Sequence, residues 1–189
     1  VSEASLRVAL LDHADRTGGG AGGEGHAPTL AAALRVAGHE PRVLSSRGRA
    51  PRALDWVLRR RGFTVPIAHL PASAGALAAG GYHVAHAFSP PDALAALAWR
   101  RLFPCIVVFT CAETLGRETV ADRRLRMWAI EQAVRHADAF VAATEESRST
   151  IERWLALDVP VLEPRDAAVH ERLYRALLGT AGQRSGVGA

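Results

Sequence analysis

The sequence contains no lysine: all 23 of its basic side chains are arginine. That absence removes lysine Schiff-base chemistry from this chain. It also removes a P-loop, whose phosphate-binding motif ends in Gly-Lys-Ser/Thr. Long apolar runs are missing too, and none approaches the roughly 18 residues that a membrane-spanning helix needs. No basic stretch precedes an apolar one after Val1, so no signal peptide is expected. Cysteine is scarce, with only Cys105 and Cys111. Both lie in one apolar run, which as a strand would separate them by about 20 Å. A disulfide needs Cα atoms within about 7 Å, so the expectation is a reduced, cytoplasmic protein. Excess charge is modest at +4. No helix-turn-helix, zinc or RNA-binding signature accompanies it, which argues against nucleic acid. Neither a metal nor a cofactor is implied.

What is present is 189 residues, 49% of them hydrophobic. One domain of about 150 residues plus tails is the expected organisation. Such a domain buries about 68–70% of its unfolded surface. The arginine-only, alanine-rich composition fits a high-GC coding sequence, and Val1 fits a GTG start, so a whole reading frame is expected.

Apolar runs predict strands at Leu6–Leu11, Arg42–Ser45, Val65–Leu70, Tyr82–Phe88, Cys105–Thr110, Ala139–Ala142 and Val159–Leu162. Helices are predicted over Pro28–Ala37, Asp92–Leu102 with Asp92 as N-cap, Thr119–His136, Glu145–Leu155 and Ala167–Leu178. A Gly- and Ser-rich tail from Gly179 reads as disordered. Strands that alternate with helices and are apolar throughout imply a parallel sheet covered on both faces. The fold expected is α/β, a Rossmann-like three-layer sandwich with a mostly parallel sheet. Ligands on such sheets bind at the carboxyl ends of the strands. That points to the loops after Leu11, Ser45, Phe88, Thr110 and Ala143.

Gly18-Gly19-Gly20-Ala21-Gly22-Gly23 satisfies G-x-G-x-x-G between a strand and a helix. Two features count against a dinucleotide site. Asp12 to Thr17 separate the glycines from the strand, and Ser45-Ser46-Arg47 stands where a ribose-binding acid should be. An NAD(P)-binding oxidoreductase is therefore a lower alternative. The other readings are a loop with no ligand, or one whose backbone amides approach a sugar or phosphate.

Five segments in order resemble the first half of a family 4 glycosyltransferase. They are Gly22-Gly23-Glu24-Gly25-His26 with Gly38-His39-Glu40-Pro41-Arg42-Val43-Leu44; His83-Val84-Ala85-His86-Ala87-Phe88-Ser89; Ile106-Val107-Val108-Phe109-Thr110-Cys111-Ala112; Ala137-Asp138-Ala139-Phe140-Val141-Ala142-Ala143-Thr144-Glu145; and Val159-Pro160-Val161-Leu162-Glu163-Pro164. The resemblance implies a single half-domain of a GT-B enzyme over residues 1–164, with Rossmann-like architecture. Residues 165–180 resemble the terminal helix that crosses back onto the first half in such enzymes; an unrelated amphipathic helix is the other reading. Residues 181–189 are left as a tail.

The departures are specific. Cys111 stands where the family places a histidine near the donor's sugar phosphate. Phe88 replaces the second histidine of an H-A-H strand, and the N-G-V-D that leads into the second half is absent. That second half carries most of the nucleotide-sugar site. Glu163 and Glu171 match the E-x7-E spacing of its glutamate pair by coincidence, since no Rossmann half surrounds them. The resemblance therefore implies a chain inactive alone: an acceptor-binding or auxiliary subunit, completed by a donor-half chain or a second copy. The alternative is a non-catalytic relative that recognises a sugar or an anionic ligand.

Candidate ligand or acceptor residues are Gly22, Gly23, His26, His86, Ser89, Cys111, Glu113, Thr144 and Glu145. Several have a plainer reading beside them. His86 fits a hydrogen-bonded core histidine, and Cys111 a small half-buried one. Glu113 fits a solvated loop. Thr144 and Glu145 fit the cap and first turn of a helix. His83 and His86 face opposite ways on a strand, so they are not a metal pair. From Arg47 to Arg61, six arginines oppose the single acid Asp55. Arg52, Arg59, Arg60 and Arg61 are interleaved with apolar residues, a pattern that suits an anionic acceptor or the anionic inner face of a membrane, or else a solvated arginine face.

Overall fold

In the computed structural model, which describes residues 4–12, 26–44, 70–111, 124–156, 160–162 and 166–186, the apolar runs form parallel strands. These are β1 (Arg7–Leu11), β2 (Glu40–Leu44), β3 (Val84–Ala87), β4 (Ile106–Cys111) and β5 (Ala139–Ala142). They make a 5-stranded sheet in the order β2-β1-β3-β4-β5, and every pairing is parallel. Val161 adds a parallel bridge to Ala142. β3 and β4 are buried along their whole length, as strands covered on both faces must be. Pro41, which has no N–H to give, lies on β2 at an end of that order.

The helices are α1 (His26–Val36), α2 (Leu70–Gly80), α3 (Pro90–Arg100), α4 (Arg124–His136), α5 (Glu145–Leu155) and α6 (Ala167–Gly186). From β1 the chain steps one way to β2, then returns past β1 and advances through β3, β4 and β5. Right-handed crossovers put helices of opposite progress on opposite faces. The two cores show this directly. Leu77 of α2, Ala93 of α3, Ile130 of α4 and Ile151 of α5 pack with Ala9, Leu11, Val107 and Phe109. Leu30 and Leu34 of α1 pack on the other face, with Val8, Leu10, Val84 and Val108.

Among the described crossovers only α1 lies on that second face. β3, β4 and β5 would be bare there without a further element, and α6 supplies it. Tyr174 is fully buried in this core, with Leu173, Leu177 and Leu178 packed against it. A set of polar contacts fixes α6 at its outer side. His39 Nδ1 accepts the Leu6 N–H at 3.3 Å, so Nε2 carries the hydrogen that faces Glu171 Oε2 at 3.1 Å. Arg175 Nε donates to Glu171 Oε1 at 2.8 Å, and its Nη2 to the Ala4 carbonyl at 3.3 Å. Hydrogen bonds from Arg175 first, and then His39, hold the Glu171 carboxyl below its usual range.

Several boundaries differ from expectation. Val65 to His69 lie outside the described residues, but Leu70 opens α2 instead of ending a strand. Nothing periodic marks this Ala- and Gly-rich helix. Its last residue is restrictive, because a β-carbon on Gly80 would run into the ring of Tyr82. Asp92 is not the N-cap of α3. Ser89 is, with its Oγ accepting the Asp92 N–H at 3.3 Å. Pro90 and Pro91 open the helix with no N–H to satisfy, so capping falls one turn earlier. Finally, α6 runs through Gly179 to Gly186, where a disordered tail was expected. Gly179 does not take the positive φ with which Gly38 closes α1. The first five residues of the expected helix at Thr119–His136 lie outside the described residues, and the rest is α4.

Candidate functional site

The chain reverses direction across the sheet between β1 and β3, and crevices at the carboxyl edge form at such switch points. Here the Phe88 N–H donates to the Leu11 carbonyl at 3.1 Å, and the Asp12 N–H to the Leu44 carbonyl at 3.3 Å. His26 opens α1 at this edge. Its ring lies parallel to that of Phe88, with centroids 6.4 Å apart. Phe88 in turn stacks on His86 at 4.5 Å. The N-termini of α1, α3 and α5 follow strands that end at this edge, and each carries partial positive charge.

Behind Phe88 lies a buried polar chain. His86 is fully buried. Its Nδ1 is 2.6 Å from Tyr174 Oη, and its Nε2 is 2.6 Å from Thr110 Oγ1. The His170 ring sits 5.5 Å away, tilted. Burial, and secondarily the nearby charge of His170, drives the His86 pKa well below its ordinary value. The imidazole is therefore neutral, with one nitrogen donating and one accepting. Either hydroxyl fits either role. Burial also pushes the Tyr174 phenol far above its ordinary pKa. The His86, Tyr174 and Thr110 side chains therefore join α6 to β3 and β4 in uncharged form.

The remaining candidates separate clearly. Ser89 and Thr144 both act as helix caps. Ser89 Oγ donates to Asp92 Oδ2 at 2.7 Å. Thr144 Oγ1 accepts the Ser147 N–H at 3.1 Å. Glu145 lies in the first turn of α5, with its Oε2 3.1 Å from Arg148 Nε. Cys111 is buried in the core of the α2–α5 face, where the sequence suggested half-burial. The structure brings His26 and His86 together through Phe88, while Cys111 faces the other way. Gly22, Gly23, Glu113, Arg52, Arg59, Arg60 and Arg61 lie outside the described residues. So do the whole glycine loop and Ser45-Ser46-Arg47, on which the dinucleotide reading turned. No group of His, Cys, Asp or Glu among the described residues is arranged to hold a metal. No described helix is long and apolar enough to cross a membrane.

Sequence reading missed Tyr174, Thr110 and His170. The available signal was the i, i+4 spacing of His170 and Tyr174 on the face of α6 that also carries Leu173 and Leu177. A core histidine needs partners, and these were the polar residues on an otherwise apolar stripe.

Comparison with known proteins agrees with this fold. The profile of Glycosyltransferase Family 4 matches residues 20–161. A sucrose-phosphate synthase structure from Thermosynechococcus elongatus superposes with TM-score 0.62 at 14% identity, covering 91% of this chain and 99% of that one. Anabaena HepE in complex with UDP-glucose superposes with TM-score 0.56 at 16% identity, covering 84% of this chain and 44% of HepE. HepE with UDP and glucose gives TM-score 0.51 at 14% identity. No curated protein sequence matches significantly.

Proposed function

Because the chain belongs to glycosyltransferase family 4, we propose that it is the acceptor-side half of a split glycosyltransferase, completed by a partner that carries the nucleotide-sugar half. The observation that carries this reading is the path after the matched residues. The described chain goes from the Val161 bridge into α6, which returns to cover the first half. In extent the chain spans 44% of the HepE chain. Stabilising a leaving diphosphate needs preorganised donors aimed at the developing charge. In this reading the partner provides them. The His26 and Phe88 rings at the carboxyl edge stand beside helix N-termini, a setting suited to a sugar or anionic acceptor. The retained α6 lets the half stand as a folded unit, so it can assemble with a second chain or a second copy.

A pull-down from the native cell, followed by a nucleotide-sugar hydrolysis assay on the complex, tests this. The expected result is a co-purifying chain with a donor-type Rossmann domain, and turnover by the complex only. Recovery of no such partner, or sugar transfer by the chain alone, would sink the proposal. A non-catalytic binding relative is the second reading. It is favoured by the way Ser89, Thr144 and His86 are committed to caps and core. Binding of a sugar or anionic ligand by the chain alone, with turnover by no complex, separates the two.

A further inference from the structure

We infer that the opposite, amino edge of the sheet carries a second ligand site, a cleft for a small organic anion with an apolar body. The cleft has a volume of about 890 Å³ and is walled by the turns before β3, β4 and β5, by the last turn of α4 and by the stretch of α6 from Leu177 to Ala181. That volume is within the roughly 300–1,000 Å³ usual for small-molecule sites. Ile106, Leu177 and Leu178 supply an apolar floor, and His83, Arg135 and His136 the basic groups.

Hydrogen bonding fixes the charge balance. The one carboxylate in the lining, Asp138, is already committed. Its Oδ2 accepts from Arg100 Nη1 at 2.6 Å and from the Val107 N–H at 2.8 Å. Arg100 Nη2 also donates to the His136 carbonyl at 3.1 Å. Arg100 and Asp138 therefore neutralise each other and brace the wall. Arg135 forms no ion pair among the described residues. His83 Nδ1 accepts the Arg7 N–H at 3.0 Å, so its Nε2 bears a hydrogen and can donate. The cleft thus presents a net positive rim over an apolar floor. A carboxylate or phosphate ester on an aliphatic or planar body satisfies both. Burial pushes the Cys105 thiol up to about 11, so it stays protonated and the cleft binds without covalent attack.

The site lies at the edge of the sheet away from the His26–Phe88 crevice, so it stands apart from the acceptor reading. Since α6 forms one wall, a bound anion also clamps α6 to α4 and β4, and stabilises the fold by mass action.

Calorimetry on the full chain with hexyl phosphate, with inorganic phosphate and hexanol as separate arms, tests the site. Hexyl phosphate is expected to bind and to raise the melting temperature. Arg135→Ser should weaken it about tenfold, the value of a lost charged hydrogen bond. Ala181→Trp, which fills the cleft, should weaken it at least as much, while His26→Ala leaves it unchanged. Both Arg135 and Ala181 are exposed, and melting of the free variants checks that they fold. Equal affinity of wild type and both variants overturns the proposal. So does inorganic phosphate or hexanol binding as tightly as hexyl phosphate, or a loss caused by His26→Ala.

Discussion

A neutral imidazole closed between two hydroxyls makes stability depend on pH. The His86 pKa is depressed in the folded chain and near 6.5 when unfolded. Below about pH 6.5 the unfolded chain binds a proton that the folded chain refuses, so stability is complete above that pH and falls as pH drops. The slope approaches about 1.4 kcal/mol per pH unit for one proton. Urea unfolding between pH 7.5 and 5 should show it, and His86→Gln should flatten it. An equal slope in both proteins would remove His86 as the cause. Glu171, with its pKa lowered, adds acid sensitivity in a lower window: its contribution is present above about pH 4.5 and lost as pH falls through the folded value. Tyr174→Phe leaves His86 Nδ1 without its partner, so a loss of about 1–3 kcal/mol is expected, read as a lower urea midpoint with unchanged slope on denaturant. His86 was legible as a core histidine from its place in an apolar strand. Its partners were not, because Tyr174 is 88 residues away in sequence and only the docking of α6 joins them.

Two elements marked by an apolar run or an unambiguous cap were legible to the residue. β5 and α5 match their predicted bounds, and Thr144 caps α5 as its hydroxyl and the following acids suggested. α2 was not legible, because alanine and glycine carry no amphipathic signal; its place is set by what it packs on, through Leu77. Its end shows the constraint most sharply. Gly80→Ala puts a methyl group into the buried Tyr82 ring. Overpacking of this kind costs about 1–3 kcal/mol, so the variant's thermal midpoint should fall. Gly75→Ala in the same helix meets open space, and should hold or raise the midpoint through helix propensity. Equal midpoints for the two variants would remove the steric explanation.

At the scale of the molecule, parallel topology explains why α6 is present. Crossovers in one direction leave β3, β4 and β5 uncovered on one face. Deleting residues 165–189 strips that face of Tyr174 and its neighbours. The expected result is aggregation, or a collapsed thermal transition by calorimetry; unchanged melting and solubility would refute the docking role. The arginine segment makes a separate prediction. Replacing Arg59, Arg60 and Arg61 by Ser should reduce pelleting with anionic liposomes, and equal pelleting of mutant and wild type would exclude these arginines from any membrane contact. The fold class was readable from alternating strands and helices, whereas the amino-edge cleft was not, since its walls meet only in three dimensions. Placing α6 over β3 and β4 also sets a schedule for synthesis. The ribosome makes β3 long before it makes Tyr174, and at roughly 5–20 residues per second the 88 intervening residues take about 4 to 18 s. Throughout that interval the nascent chain holds His86 and its apolar neighbours without their cover, so a slower approach of Tyr174 lengthens the time for which that surface is open to aggregation.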